Sequence, residues 1–385
     1  VPEKGAIVSD FGQSVRRHWA LDWNATHLNH GSYGATPRSV LEAQRAIRDE
    51  MEGAIGHFFM RQLPGRLRAT AGRLAEFLGA EAEDVVFLDN ATSGAQAVIA
   101  SLDLKPGDEI LINDQTYNAV KNITRHVALR TGAKVVEVAL PFPVEDDGSA
   151  IVAAIASGLS ERTRLVVLDH ITSATAVTMP LDRLIAAIRA TSALVLVDGA
   201  HGPGQVALDL ATLGADFYIG NCHKWLSAPK GAAFLWARRD HQSWLHPTVI
   251  SHGLGQGFIA EFDWTGTRDA SNVLAVPAAL DFRQGFGESR IQARNRDLAE
   301  AAGAILAEDW KTRQGVPSGL AGSMRMVQLP ISSGAPLDLR AKLWTDHKID
   351  VPVNALAGGL WVRISAQLYN EPDDYKRLAE AVRRL

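Results

Sequence analysis

Two acid–base clusters close two apolar runs in the middle of the chain. LVLVDGAH (194–201) ends in Asp198 and His201, and DFYIGNCHKW (216–225) ends in His223 and Lys224. A lysine amine is a nucleophile only when neutral, and burial near other cations brings it to that state. A buried carboxylate can hold a ring nitrogen protonated. Together the two groups suit pyridoxal phosphate (PLP), with Lys224 forming the Schiff base and Asp198 facing the pyridinium nitrogen. The alternative for the same residues is a buried Asp–Lys ion pair under a loop.

A short helical segment separates the two runs, about one strand–helix–strand crossover, so the strands can be parallel neighbours. Ligands bind outside the carboxyl ends of such strands. Other stretches can supply the rest of a site. VVFLDNATSGAQAVIASL (85–102) reads as strand, turn and helix. Its turn, with Ala91 and Thr92, offers amides and hydroxyls to a phosphate, or is a plain helix cap without a Walker pattern. Tyr117 sits where DEILINDQTYNAV passes from strand to helix, placed to stack on a planar cofactor or to fill an interface. Asn29 and His30 lie in the glycine-bordered loop LNHGSYGATP, which faces a ligand or is an ordinary turn. Arg363, in the alternating strand WVRISAQLYN, can grip a carboxylate in bidentate fashion or form a surface salt bridge.

Strand then helix is expected over 108–129, with further strands at 133–140, 164–174 and 230–239, the last of these antiparallel to its neighbour. Helical segments near 149–160 and 180–191 separate several of them. Apolar, β-branched runs suit a parallel sheet covered on both faces. The expectation is an α/β chain with a mostly parallel, seven-stranded sheet in a large domain, residues 28–265. A smaller α+β domain takes residues 1–27 plus 266–385. It includes a short helix around Asp10 to Trp19, helices at 272–284, 288–310, 337–347 and 372–385, and strands near 324–330 and 360–366. Glycines 253, 255 and 257 do not make a dinucleotide fingerprint, which argues against a dehydrogenase.

The 385 residues, 46% hydrophobic and 21% charged, suffice for two or three domains. A net charge of −4 with no long basic run argues against nucleic acid. A single cysteine, Cys222, excludes an internal disulfide and a multi-cysteine metal site, and no metal is expected. No apolar run reaches the ~20 residues of a membrane span. Cytoplasm is the default location, although a start at Val1 leaves room for a removed export signal.

LNHGSYGATP, NATSGAQAV, VDGAHGPG, GNCHKWLSAPKG, FDWTGTRD and WVRISAQLYN, in this order, resemble the class V aminotransferase family of fold-type-I PLP enzymes. Within it they are most similar to the isopenicillin N epimerase-like branch. The resemblance implies that Lys224 carries the cofactor, Asp198 pairs with the ring nitrogen and His201 approaches the ring hydroxyl. It implies that Tyr117 stacks on the ring, where many relatives have histidine, and that Ala91, Thr92 and His223 bind the phosphate. Thr265 and Thr267 would reach the phosphate of the other subunit of a homodimer. Arg363 would hold the carboxylate of a small amino-acid substrate, with Asn29 and His30 lining the substrate side. The implied reaction is at Cα, epimerisation or racemisation, with a C–S lyase acting on a cysteine conjugate or sulfoxide, or a transaminase, as alternatives. Epimerisation needs a second proton donor, for which Tyr117, His30 or water are candidates. A desulfurase needs a mobile cysteine, whereas Cys222, two residues before Lys224, reads as a packed small residue.

Overall fold

The computed structural model describes residues 11–385. Seven strands form the main sheet: β1 (Val85–Leu88), β2 (Glu109–Asn113), β3 (Lys134–Val138), β4 (Thr163–Asp169), β5 (Leu194–Gly199), β6 (Phe217–Asn221) and β7 (Ala233–Ala237). Their spatial order is β1-β7-β6-β5-β4-β2-β3. Only β7 runs against the rest, pairing antiparallel with β1 and β6. The carboxyl ends of β2, β4, β5 and β6 therefore open onto one edge, because these strands pair in parallel.

The central runs of β4 and β5 are apolar at successive positions because both faces are covered. Along β4, Leu165 and Val167 enter one core cluster while Val166 and Leu168 enter the other; along β5, Leu196 parts from Val195 and Val197 in the same way. This period of two is the strand signature, masked in the sequence because neither face meets water. Each such side chain contributes ~1.5–3 kcal/mol on burial, which makes the sheet a stiff support for its ends.

A second, antiparallel sheet has the order β9-β10-β8, from β8 (Met324–Gln328), β9 (Val353–Leu356) and β10 (Gly359–Ser365). β9 is not legible in VPVNALAGG, whose proline and glycines read as loop; pairing with β10 makes it a strand. The N-terminal segment joins this part of the molecule, because Thr26–His27 pairs in parallel with Ile349–Asp350. In place of a helix around Asp10 to Trp19 there are two 3-10 turns, Gly12–Ser14 and Arg16–His18, and Asp10 lies outside the described residues. The stretch 272–284 is broken into Ser271–Leu274 and Val276–Gln284. Both pieces pack their apolar side chains into the main-sheet core, through Val273, Leu274, Val276, Ala279 and Leu280. We therefore propose that the large domain extends to Gln284 rather than ending at 265. The long helix Glu288–Trp310 then begins the smaller one, where Leu298, Ala302 and Leu306 share a core with β8 and β10.

Candidate active site

The end of β5 presents Asp198, and the turn after β6 presents His223 and Lys224. Lys224 Nζ lies 3.2 Å from His201 Nε2. On the far side of the imidazole, the Trp225 indole N–H donates to His201 Nδ1 at 3.2 Å. An indole N–H can only donate, so Nδ1 must accept and the ring proton sits on Nε2. That proton points at Lys224, which can accept it only as a neutral amine. Burial first, then the Arg363 charge, pushes Lys224 down to about 8, against the opposing pull of Asp198. Burial, followed by the Lys224 and Arg363 charges, holds His201 well below the usual histidine range. Among the described residues no salt bridge joins Lys224 to Asp198, so the ion-pair alternative does not describe this site.

Asp198 is buried and accepts the Ala200 amide at 3.0 Å. It stands in register with Asp169 at the end of β4. Burial raises Asp198; burial and the neighbouring Asp198 charge push Asp169 well above the carboxylate range. Asp169 Oδ2 has no hydrogen-bond partner. Two buried carboxyls with no cation in contact leave this strand edge short of a positively charged N–H donor.

The phosphate end differs in detail from the sequence expectation. Asn90 caps the helix Ala91–Ser101, accepting the Ser93 amide at 2.9 Å. The Ala91 amide is already committed to Asn221 Oδ1, at 2.9 Å. The Thr92 amide, between them at the positive end of the helix, has no partner among the described residues. Ala91 is thus the residue whose amide locks helix to strand, and Thr92 the one left to meet an anion. His223 Nδ1–H donates to the Ala232 carbonyl at 3.0 Å. Burial first, reinforced by the Lys224 and Lys230 charges, brings it down to about 4. Its Nε2 then holds a lone pair, and an anion beside it would favour the protonated form.

Arg363 is 5% exposed and touches no carboxylate in the described residues; burial lowers it to about 10. Its Nη1 donates to the Ser173 carbonyl and its Nη2 to Ser32 Oγ at 3.0 Å, while Nε is buried without a partner. The surface salt bridge is therefore not formed. Arg363 lines a cavity of about 570 Å³ with Tyr117, Gln115, Ser173, Thr175 and Asn354. Tyr117 remains 49% exposed.

His30 is not on a wall of this cavity. It is 0% exposed, with Nδ1 at 2.9 Å from the Tyr369 hydroxyl and Nε2 at 3.1 Å from the Lys224 carbonyl. It supports the lysine's backbone and cannot meet a substrate. Asn29 is likewise buried, held between Asp350 and Ser32. Thr265 is half-buried and Thr267 exposed, in a bend; among the described residues no hydrogen bond ties either to the Lys224 cluster. Cys222 is fully buried and burial pushes its thiol up, as a packing residue. Sequence reading did not single out Trp225, Asn221, Asp169, Ser32 or Ser173. Trp225, Asn221 and Ser32 lie within two residues of ones it did single out, Ser173 carries no such signal, and Asp169 ends a strand as Asp198 does, which is the one signal that could have found it.

The donor set fits PLP: an amine lowered by burial at Lys224, an unpaired buried carboxylate at Asp198, and the free Thr92 amide with His223 near a helix N-terminus. The model of the family Aminotransferase class-V matches residues 32–377. A putative L-cysteine desulfhydrase of Oryza sativa subsp. japonica is 36% identical over 400 residues, covering 93% of this chain and 82% of that one. An isopenicillin N epimerase of Amycolatopsis lactamdurans is 34% identical over 399 residues, covering 98% and 100%. Among solved structures, a C-DES variant with glycine covalently linked to its PLP cofactor superposes with a TM-score of 0.79 at 23% identity, covering 95% of this chain and 98% of that one. With its mostly parallel seven-stranded sheet and a lysine and aspartate at adjacent strand ends, the chain belongs to the class V aminotransferase family and is a PLP enzyme of fold type I.

Proposed function

We propose that this enzyme removes the Cα proton of an amino acid and expels a sulfur substituent from Cβ, as a C–S lyase of the desulfhydrase kind. The observation that carries the reading is the buried Lys224 amine, 3.2 Å from His201 and lowered to about 8, with His30 taken out of the substrate's reach. Burial is the largest cause of that lowering, and His30 is sealed away with both ring nitrogens engaged. One base suffices for elimination, whereas inversion needs a proton on each face. PLP, when bound, supplies the electron sink for the charge left at Cα. Arg363 receives the substrate carboxylate on its unpaired N–H groups. Asp198 would hold the ring nitrogen, Tyr117 would cover the ring, and Lys224 would take the Cα proton and pass it to the departing sulfur. The L-cysteine desulfhydrase relatives support this reading.

Epimerisation is the second reading. Tyr117 favours it, because its exposed ring lines the cavity and could bring a hydroxyl to the other face. The isopenicillin N epimerase relatives favour it too. We further propose a homodimer in which Thr265 and Thr267 complete the partner's phosphate site, since both lie on a bend outside the chain's own cluster.

The test is a run of the PLP-loaded protein in heavy water with L-cysteine, S-substituted cysteines and isopenicillin N. Pyruvate, ammonia and a released thiol support the lyase. Inverted product carrying deuterium at Cα, without fragmentation, replaces it with the epimerase. Keto acid that retains the side chain would make it a transaminase.

A further inference from the structure

We infer that Arg363 is oriented by a relay of hydrogen bonds, Ser32–Asn29–Asp350, that ends on a carboxylate it never touches. This rests on the carboxylate-binding role proposed above for Arg363. The relay begins where Arg363 Nη2 donates to Ser32 Oγ at 3.0 Å. Ser32 then donates to Asn29 Oδ1. Asn29 Nδ2 donates in turn to Asp350 Oδ1 at 3.0 Å. Every donor is matched to an acceptor in one direction only. A carboxylate cannot donate, so the Asn29 NH₂ must face Asp350 and its carbonyl must face Ser32; the serine proton is then committed away from the guanidinium.

The far end is anchored. Asp350 also meets His27 Nδ1 at 3.0 Å and Arg340 at 3.5 Å. Its strand residue pairs with His27 across the short parallel ladder. Burial would raise its carboxyl, but the contacts with His27, Asn29 and Arg340 outweigh burial and hold it below the ordinary range. The relay therefore delivers the polarising effect of an ionised carboxylate to Arg363 through two neutral groups.

The physical gain is that the guanidinium stays available. A directly paired aspartate would fix Arg363 equally well but would neutralise it and compete with the incoming carboxylate. Two neutral links fix the orientation, and the Ser173 carbonyl fixes the other Nη. The remaining Nη hydrogens are left for a ligand in the cavity that Arg363 lines, while Nε stays buried without a partner. Ser32 and Asn29 are positioning residues; neither needs to touch substrate for the effect.

The experiment titrates the PLP-loaded enzyme with L-alanine and with L-alaninamide, which lacks the carboxylate, and follows the visible absorbance of the bound cofactor. Ser32→Ala should weaken L-alanine about tenfold, the loss of roughly one hydrogen bond to a charged group, and leave L-alaninamide unchanged. Ser32→Thr, which keeps the hydroxyl, should restore the preference. Asn29→Ala should act in the same direction as Ser32→Ala. Equal weakening of both ligands would mark a merely structural role and overturn the relay. So would an unchanged preference in both alanine variants while Arg363→Ala abolishes it. An unchanged preference in Arg363→Ala itself would remove the carboxylate role first, and the relay with it.

Discussion

The Trp225 indole N–H reaches His201 Nδ1 at 3.2 Å, and through that one bond the ring proton of His201 is directed at Lys224. Trp225→Phe keeps the aromatic bulk and removes the donor. The buried Nδ1 is then unsatisfied, at a cost of about 1–3 kcal/mol. The urea midpoint of the apoenzyme should fall accordingly with its slope unchanged. An unchanged midpoint would show that His201 turns to a different partner without penalty.

Cofactor uptake should follow the neutral fraction of Lys224. With the amine at about 8, the apoenzyme's rate of gaining visible absorbance on mixing with PLP should rise roughly fivefold between about pH 7 and 8 and level off above 9. An unperturbed lysine would go on rising tenfold per unit through that range. Stopped-flow absorbance separates the two profiles.

Asp169 should destabilise the apoenzyme. The fold raises its pKa, so the folded chain binds more protons than the unfolded one above the unfolded value, and stability falls as pH rises through the window up to the folded value. Asp169→Asn removes this charge without changing shape. Its apoenzyme should melt at a higher temperature than wild type at neutral pH, and the gap should close towards about pH 4. A variant that melts lower at neutral pH would show that the carboxylate has a partner.

Gly34 has φ +71°, and a Cβ there would stand 2.0 Å from the His223 carbonyl oxygen and 2.9 Å from Lys224 Cα. Gly34→Ala must therefore push the lysine's backbone away from the loop that supports it. The expected result is a folded protein, by far-ultraviolet dichroism, with PLP affinity reduced at least tenfold in equilibrium dialysis. Wild-type affinity would mean that the 223–224 turn moves freely.

Much of this enzyme is written locally. Apolar runs ending in Asp198 and Lys224 located the sheet edge, because strands buried on both faces must be apolar along their length and must shed their polar residues where they stop. The glycine-bordered turns and the helix 288–310 were legible for the same reason: each depends on neighbours in sequence. The tertiary structure decided what depends on residues far apart in the chain. His30 and Asn29 looked like ligand-facing loop residues, but Tyr369 and Asp350, more than three hundred residues away, fold over them and turn both into supports. Ala91 seemed free until Asn221 took its amide. The helices 271–284 follow the main-sheet core because their apolar faces find it there. Burial and pairing belong to the folded whole, and they set which of the chain's polar groups are spent on the fold and which remain for chemistry.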